Sequence, residues 1–426
     1  MHDNIKPHHN HSRIDSAPLA PENQGDQGHT RPISIVTDTA GLEELCRALA
    51  RDSFIAVDTE FMREQTYWPV LCLIQIAGSA REAIIDPQSP GLDLAPFFRL
   101  MADPNVLKVF HAARQDIEIM VHQSGVVPSP IFDTQVAAMV CGFGDQVGYE
   151  QIVRQLAKAP IDKSSRFTDW SRRPLSPKQL AYALSDVTHL RTVYEKLSEK
   201  LARTRREPLL KEEMAILTSP ATYTTAPEDA WKRIKVRLRS KKQAGVLMAV
   251  AAWREREARE KNVPRARILK DDAIAELTVQ MPQSKEALAG LRALPRGFAG
   301  SRNGEALLKA VREGLAADPA SLPALDQRRE IMPESAQAAA EVLKLALKII
   351  SERNGIASKL IASSSDLEAL ALDDQADVPL LHGWRRELFG DIALAIKHGK
   401  AVIGFRNGRA DIIDTDGEAT LPVAAE

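Results

Sequence analysis

The stretch Phe54-Ile-Ala-Val-Asp58-Thr-Glu60-Phe61 decides how the rest of the chain is read. Its first half is apolar and partly aromatic or β-branched, as in a buried strand, and it runs into two carboxylates one residue apart. In a strand, residues i and i+2 point to the same face, so Asp58 and Glu60 stand side by side. Each resists ionising beside the other, and a bound divalent cation removes that penalty. A strand end with two solvated acids fits the same residues, so the neighbours have to decide.

Upstream, Ile33-Ser-Ile-Val36 reads as a short strand, and Asp38 or Thr39 can cap a helix from about Gly41 to Arg51. Downstream, Leu71–Ala77, Glu82–Asp86 and Lys108–His111 read as strands. Leu92–Met101 and Asp116–Gln123 read as helices, and Ile131-Phe-Asp133 as a short strand or the start of a helix. Helices fill most of the remainder to about Leu201. Strands first, with helices between and after them, predict an α/β sheet of mixed direction.

Two further acids fall where they can meet the first pair. Asp116 opens a helix just after the strand ending at His111, and Asp186 lies in a helical run with an apolar stripe at Leu180, Leu184, Val187 and Leu190. Tyr182 precedes Asp186 by four residues, so the two share a helix face. Asp133 is a competing acid, more simply read as a cap. Taken singly, Tyr182 and Asp186 are better explained by a packed ring and a solvated carboxylate.

Composition narrows the class. The chain has 426 residues, is 44% apolar and carries a net charge of −1, so any charge signal must be local. Its three cysteines, Cys46, Cys72 and Cys141, are far apart, which fits reduced thiols in the cytoplasm and argues against a disulfide framework or a zinc site. No apolar run reaches membrane-spanning length and no secretory signal is visible. Residues 1–30 hold five of the ten histidines and too little apolar surface to fold, so a disordered tail is expected there.

Together, Val57-Asp-Thr-Glu-Phe61, Leu73-Ile-Gln-Ile-Ala77, Val109-Phe-His-Ala-Ala-Arg-Gln-Asp116, Asp169-Trp-Ser-Arg-Arg-Pro-Leu175 and Tyr182-Ala-Leu-Ser-Asp186 resemble the tyrosine branch of the DEDD exonuclease superfamily, and within it ribonuclease D. The histidine branch would carry His where this chain has Ala181. The resemblance implies a ribonuclease-H-like domain that removes nucleotides from RNA 3′ ends. It implies two divalent ions, Mg²⁺ or Mn²⁺, held by Asp58, Glu60, Asp116 and Asp186, with Tyr182 beside the attacking water. Carboxylates without a Cys/His cluster suit such hard cations. An ordinary tyrosine pKa of about 10 makes Tyr182 an orienting group rather than a base. Substrate contacts are expected from Thr59, Phe61, His111, Gln115, Lys163, Trp170, Arg172 and Arg173. For Phe61 and Trp170, packing roles explain the residues as well, and for His111 a structural role explains it better.

Beyond Arg206, a linker over 207–227 leads to a basic stretch: residues 228–270 carry fourteen Lys or Arg against five Asp or Glu. Lys232, Arg233 and Lys235 are its expected phosphate contacts. Trp253–Ala258, Asn262–Arg267 and Ile268–Leu277 resemble the helicase-and-ribonuclease-D C-terminal (HRDC) domain, and Ile356–Glu368 with Gly383–Gly390 a divergent second copy. The expected order is a tail (1–30), the exonuclease domain (31–206), the linker, helical domains over 228–290 and 291–400, and a C-terminal hairpin and tail (401–426) turning at Asn407-Gly408. The resemblance implies a cytoplasmic monomer that trims tRNA precursors at single-stranded 3′ ends and releases nucleoside 5′-monophosphates. A 3′–5′ exodeoxyribonuclease and a catalytically silent RNA-binding protein are the competing readings.

Overall fold

The computed structural model describes residues 33–323 and 332–415. The tail over 1–30, expected to be disordered, lies outside them, as do residues 416–426. Six strands form one mixed sheet: β1 (Ile35–Val36), β2 (Phe54–Met62), β3 (Val70–Ala77), β4 (Glu82–Ile85), β5 (Leu107–Phe110) and β6 (Ile131–Asp133), in the order β1-β4-β3-β2-β5-β6. β2–β3 and β3–β4 are antiparallel and the other pairs parallel. β2 is thus a central strand, paired on both edges.

The helices of this region are α1 (Thr39–Leu49), α2 (Ala95–Ala102), α3 (Arg114–Ser124), α4 (Thr134–Val140), α5 (Tyr149–Leu156) and α6 (Pro177–Thr204). Asp38 caps α1 through the amide of Gly41, and Ser176 and Gln179 form a capping box, with Pro177 first in the helix, at the start of α6. α6 lies across β2, β3 and β4 and buries Ala183, Val187, Leu190, Val193, Leu197 and Leu201.

Three boundaries differ from expectation. The stretch 207–227 was expected to be a linker, but α7 (Glu207–Thr218) occupies most of it. Leu210 and Met214, one turn apart, are buried where α7 packs on α4 and β6, and only residues 219–226 are left to link.

The first helical unit does not stop at residue 290. Here α8 (Lys241–Glu260), α9 (Arg265–Ile268), α10 (Asp271–Gln280), α11 (Lys285–Ala289) and α12 (Arg302–Ala316) share one core through Val246, Val250, Ile274, Leu277, Leu307 and Val311. A Cβ at Gly245 would stand 2.2 Å from the carbonyl oxygen of Gly314, so the two glycines let α8 and α12 touch backbone to backbone.

The second helical region is not a separate body either. Here α13 (Glu334–Asn354), α14 (Ser358–Ile361), α15 (Ser364–Leu372) and the helical stretch 383–397 bury Leu343, Leu347, Ile350, Leu367 and Phe389 in the same core as the sheet. The seam is tight: the Arg206 guanidinium donates to the carbonyls of Val140 (2.9 Å) and Gly355 (2.8 Å), and a Cβ at Gly142 would come within 2.5 Å of the Gly355 oxygen. The C-terminal hairpin β7 (Ala401–Arg406) and β8 (Arg409–Asp414) turns at Asn407 and Gly408, both at positive φ (53° and 76°). It packs on α13 and buries Ala401 and Ile412.

Candidate active site

The acids are set by the elements that carry them. Asp58 and Glu60 share one face of β2, whose pairing with β3 slips just after Glu60; such a bulge re-aims side chains at a strand end. Asp116 lies in the first turn of α3 and accepts a short hydrogen bond from the Thr59 hydroxyl. Asp133 caps α4 and also accepts from the amides of Ala112 (3.0 Å) and Ala113 (2.8 Å). It therefore holds the turn, with Ala112 at φ 60°, that delivers α3 to the site. Asp186 comes in from α6.

Asp58, Glu60 and Asp186 each offer an oxygen within 4.8 Å of the others. Asp116 joins them in the wall of a cavity of about 520 Å³, together with Tyr182. Burial is the leading influence on all four acids and pushes their pKa values up. Asp58 is held well above the carboxylate range by burial and then by Asp116, Asp186 and Glu60. Glu60 rises to about 8, through burial and then Asp186 and Asp116, with Arg166 opposing. Asp116 rises to about 7 against the Thr59 hydrogen bond, and Asp186 to about 7 against Tyr182 and Arg166. Burial and the surrounding acids also raise Tyr182, so its hydroxyl keeps its proton. The donor set is hard oxygen, crowded and short of positive charge, which fits divalent cations of the Mg²⁺ or Mn²⁺ kind.

The other expected residues are dispersed. Thr59, Phe61, His111, Gln115 and Lys163 line the cavity. His111 Nδ1 lies 2.9 Å from the Thr134 hydroxyl, and burial lowers the His111 pKa. Lys163 is ion-paired with Glu150. Trp170 is only 2% exposed and lies behind Tyr182, ring centroids 6.1 Å apart. Arg172 pairs with Asp169 at 3.1 Å, away from the cavity. Arg173 grips Asp86 through two 2.7 Å bonds and also donates to the Cys72 carbonyl, a structural brace. Lys232, Arg233 and Lys235 lie on the first helical unit, outside the cavity wall.

Several residues of the site escaped the sequence reading. Arg166 and the 91% exposed Phe167 stand at the cavity, and the Arg166 charge opposes the upward shifts of Glu60, Asp186 and Tyr182. Their signal was a basic residue beside an aromatic one, ahead of the Tyr182 helix. Tyr149 lines the wall and donates to the Ser185 carbonyl (2.9 Å), bracing the turn of α6 before Asp186. Gln75 pairs directly with Asp58 across β2–β3 and is wholly buried, its amide without a hydrogen-bond partner among the described residues. A lone Gln inside the apolar run Leu71–Ala77 was its mark.

Comparison with known proteins gives the family. The 3′–5′ exonuclease family matches residues 33–202 and the HRDC domain family residues 243–311. Ribonuclease D of Nitrobacter hamburgensis is 50% identical over 377 residues, covering 88% of this chain and 98% of that protein. Ribonuclease D of Granulibacter bethesdensis is 47% identical, covering 90% and 97%. The crystal structure of Escherichia coli RNase D, an exoribonuclease involved in structured RNA processing, superposes with a TM-score of 0.76 at 29% identity, covering 87% of this chain and 99% of that one. With its mixed ribonuclease-H-like sheet, clustered acids and helical C-terminal region, the chain belongs to the ribonuclease D family of 3′–5′ exoribonucleases.

Proposed function

We propose that this exoribonuclease trims the 3′ ends of structured RNA precursors, tRNA among them, by two-ion hydrolysis that releases nucleoside 5′-monophosphates. The observation that carries the reading is the crowding of Asp58, Glu60, Asp116 and Asp186, whose raised pKa values mark a cluster that lacks positive charge. Asp58, Glu60 and Asp186 would hold one cation, and Asp58 with Asp116 the other. When bound, such ions acidify water and neutralise charge on the phosphodiester and the leaving 3′ oxygen. The protein's own contribution is placement. Pairing of β2 with β3 fixes Asp58 and Glu60, Thr59 orients Asp116, and Tyr182, kept protonated, orients the attacking water through its hydroxyl. Phe61 and Phe167 offer ring faces at the cavity for the terminal bases.

Three buried free thiols suit a reducing cytoplasm, and no described helix is long and apolar enough to cross a membrane. We take the working form to be a monomer. The test is product analysis on a 3′-extended tRNA with Mg²⁺ or Mn²⁺, alongside Asp58→Asn and Asp186→Asn. The expected result is stepwise release of 5′-monophosphates, lost by about 10³-fold or more in either variant, with RNA binding retained and Mn²⁺ binding weakened by calorimetry. Full cleavage by either variant, or release of 3′-monophosphates, overturns it.

A further inference from the structure

The helical unit containing α8–α12 is hydrogen-bonded to the catalytic region at one small loop. Among the described residues, every hydrogen bond between the two, apart from those to residues 219–226, falls on Gln65, Tyr67 or Trp68, just beyond the β2 end that carries Asp58 and Glu60. Tyr67 is also the catalytic-region residue that packs against the helical unit's apolar core.

Its hydroxyl donates to Glu255 and accepts from Arg259 Nε and Arg265 Nη2, both at 2.9 Å. Glu255 is 1% exposed and also takes Arg265 at 2.5 and 2.8 Å and Arg259 at 3.0 Å. The Arg265 guanidinium lies 4.6 Å over the Tyr67 ring. Trp68 donates its amide to Asn262 (3.0 Å) and stacks on His122 of α3, ring centroids 4.0 Å apart and 8° from parallel. The loop is thus held by α3 on one side and the helical unit on the other.

The same unit carries a basic edge. After Arg233 the chain runs without helix or strand to Ser240, and its side chains alternate. Val236 and Leu238 pack inward, while Lys235, Arg237 and Arg239 are exposed. Ile234 and Ser240, which bracket the segment, are both extended. Cations at every second residue of an extended chain stand about 7 Å apart, close to the spacing of successive phosphates along an open nucleic-acid strand. Phe61 of the cavity wall is four residues from Gln65, so the lock lies within about 14 Å of chain from the cavity.

We propose that Tyr67 is a positioning residue: through Glu255, Arg259 and Arg265 it fixes the helical unit, and with it the Lys235–Arg239 edge at the other end of α8, against the catalytic region, so that the edge holds the phosphates of the RNA body at a set distance from the cavity while its 3′ end is cut. Buried ion clusters add little net stability but set one geometry, and this one joins residues 188 apart in sequence. The catalytic acids are held by their own strands and helices, so the lock acts on the binding of long RNA and leaves the chemistry alone.

The test uses the full chain with Tyr67→Ala, Tyr67→Phe and the triple edge variant Lys235→Gln/Arg237→Gln/Arg239→Gln, on a pentanucleotide and on a hairpin RNA with a single-stranded 3′ tail. In Tyr67→Ala and in the edge variant, KM for the hairpin RNA should rise about tenfold, with a shallower salt dependence in the edge variant, while kcat/KM on the pentanucleotide stays put. Tyr67→Phe should give a smaller rise in the same KM. In the combined variant the Tyr67→Ala effect should vanish, because the edge it positions is gone. Equal losses on both substrates, no change on either, or full multiplication of the two KM effects would each overturn the assignment. Protease cutting within 219–226, faster in Tyr67→Ala and with the pentanucleotide activity intact, separates release of the unit from misfolding of the enzyme.

Discussion

Two buried carboxylate clusters in this protein face opposite electrostatic fates. Glu255 is surrounded by Arg259, Arg265 and the Tyr67 hydroxyl; although burial works against it, these partners, Arg265 foremost, pull its pKa down to about 2. Asp58, Glu60, Asp116 and Asp186 are surrounded chiefly by one another, and burial and repulsion push them up. The first cluster is complete within the protein. The second becomes complete only with cations from outside. Glu255 has its cations within the chain, whereas the four acids of the site crowd one another and have their positive charge still to gain.

The contrast can be broken in three places. The largest effect is expected at the satisfied cluster. Glu255→Ala leaves two guanidinium groups without their anion, and the loss of one partner from a buried pair costs about 3–5 kcal/mol. Calorimetry should show the helical unit melting earlier while the sheet-bearing core keeps its transition; an unchanged thermogram would mean that solvent already screens the lock. The second is Tyr182→Phe, which keeps the ring on Trp170 and removes the hydroxyl that faces the acids. A misplaced nucleophile should lower kcat by about 10²-fold, with KM for RNA and Mn²⁺ affinity unchanged; a wild-type kcat would remove the hydroxyl from the mechanism.

The smallest effect concerns pH. A carboxyl whose folded pKa lies above its unfolded one stabilises the fold below the unfolded value, and that contribution is lost as pH rises through the folded value. With Asp116 and Asp186 at about 7 and Glu60 at about 8, metal-free protein should lose a few degrees of melting temperature between about pH 5 and 8.5. Mg²⁺ should restore the loss, and Asp58→Asn should reduce it in metal-free protein. A melting temperature that does not respond to pH would contradict the raised values.

The acidic cluster was legible because the patterns that carry it are local. Two carboxylates at a strand end, an acid opening a helix and a Tyr four residues before an Asp are short patterns. The sheet was legible for the same reason, down to Asp133 acting as a cap. What stayed hidden depends on distant residues. The bond between Tyr67 and Glu255 spans 188 positions, and nothing near either residue announces the other. The basic run after Glu228 looked like fourteen cations free for RNA, but Arg254 is 5% exposed and bound to Asp271 and the Leu269 carbonyl, and Arg259 and Arg265 serve the lock. Trp170 sits in a polar loop with the look of a stacking platform, yet it is packed behind the Tyr182 ring. The apolar face of α13 would suit any helical bundle, and only the fold shows that it completes the core of the sheet.

The seam at Gly142 and Gly355 has a practical consequence. A shortened chain ending near residue 218 would keep Asp58, Glu60, Asp116, Tyr182 and Asp186, yet it would uncover the apolar surface on which Leu343, Leu347 and Ile350 rest. The core that holds the acids is therefore discontinuous, drawn from residues 34–218 and 334–415, with the α8–α12 unit inserted between them.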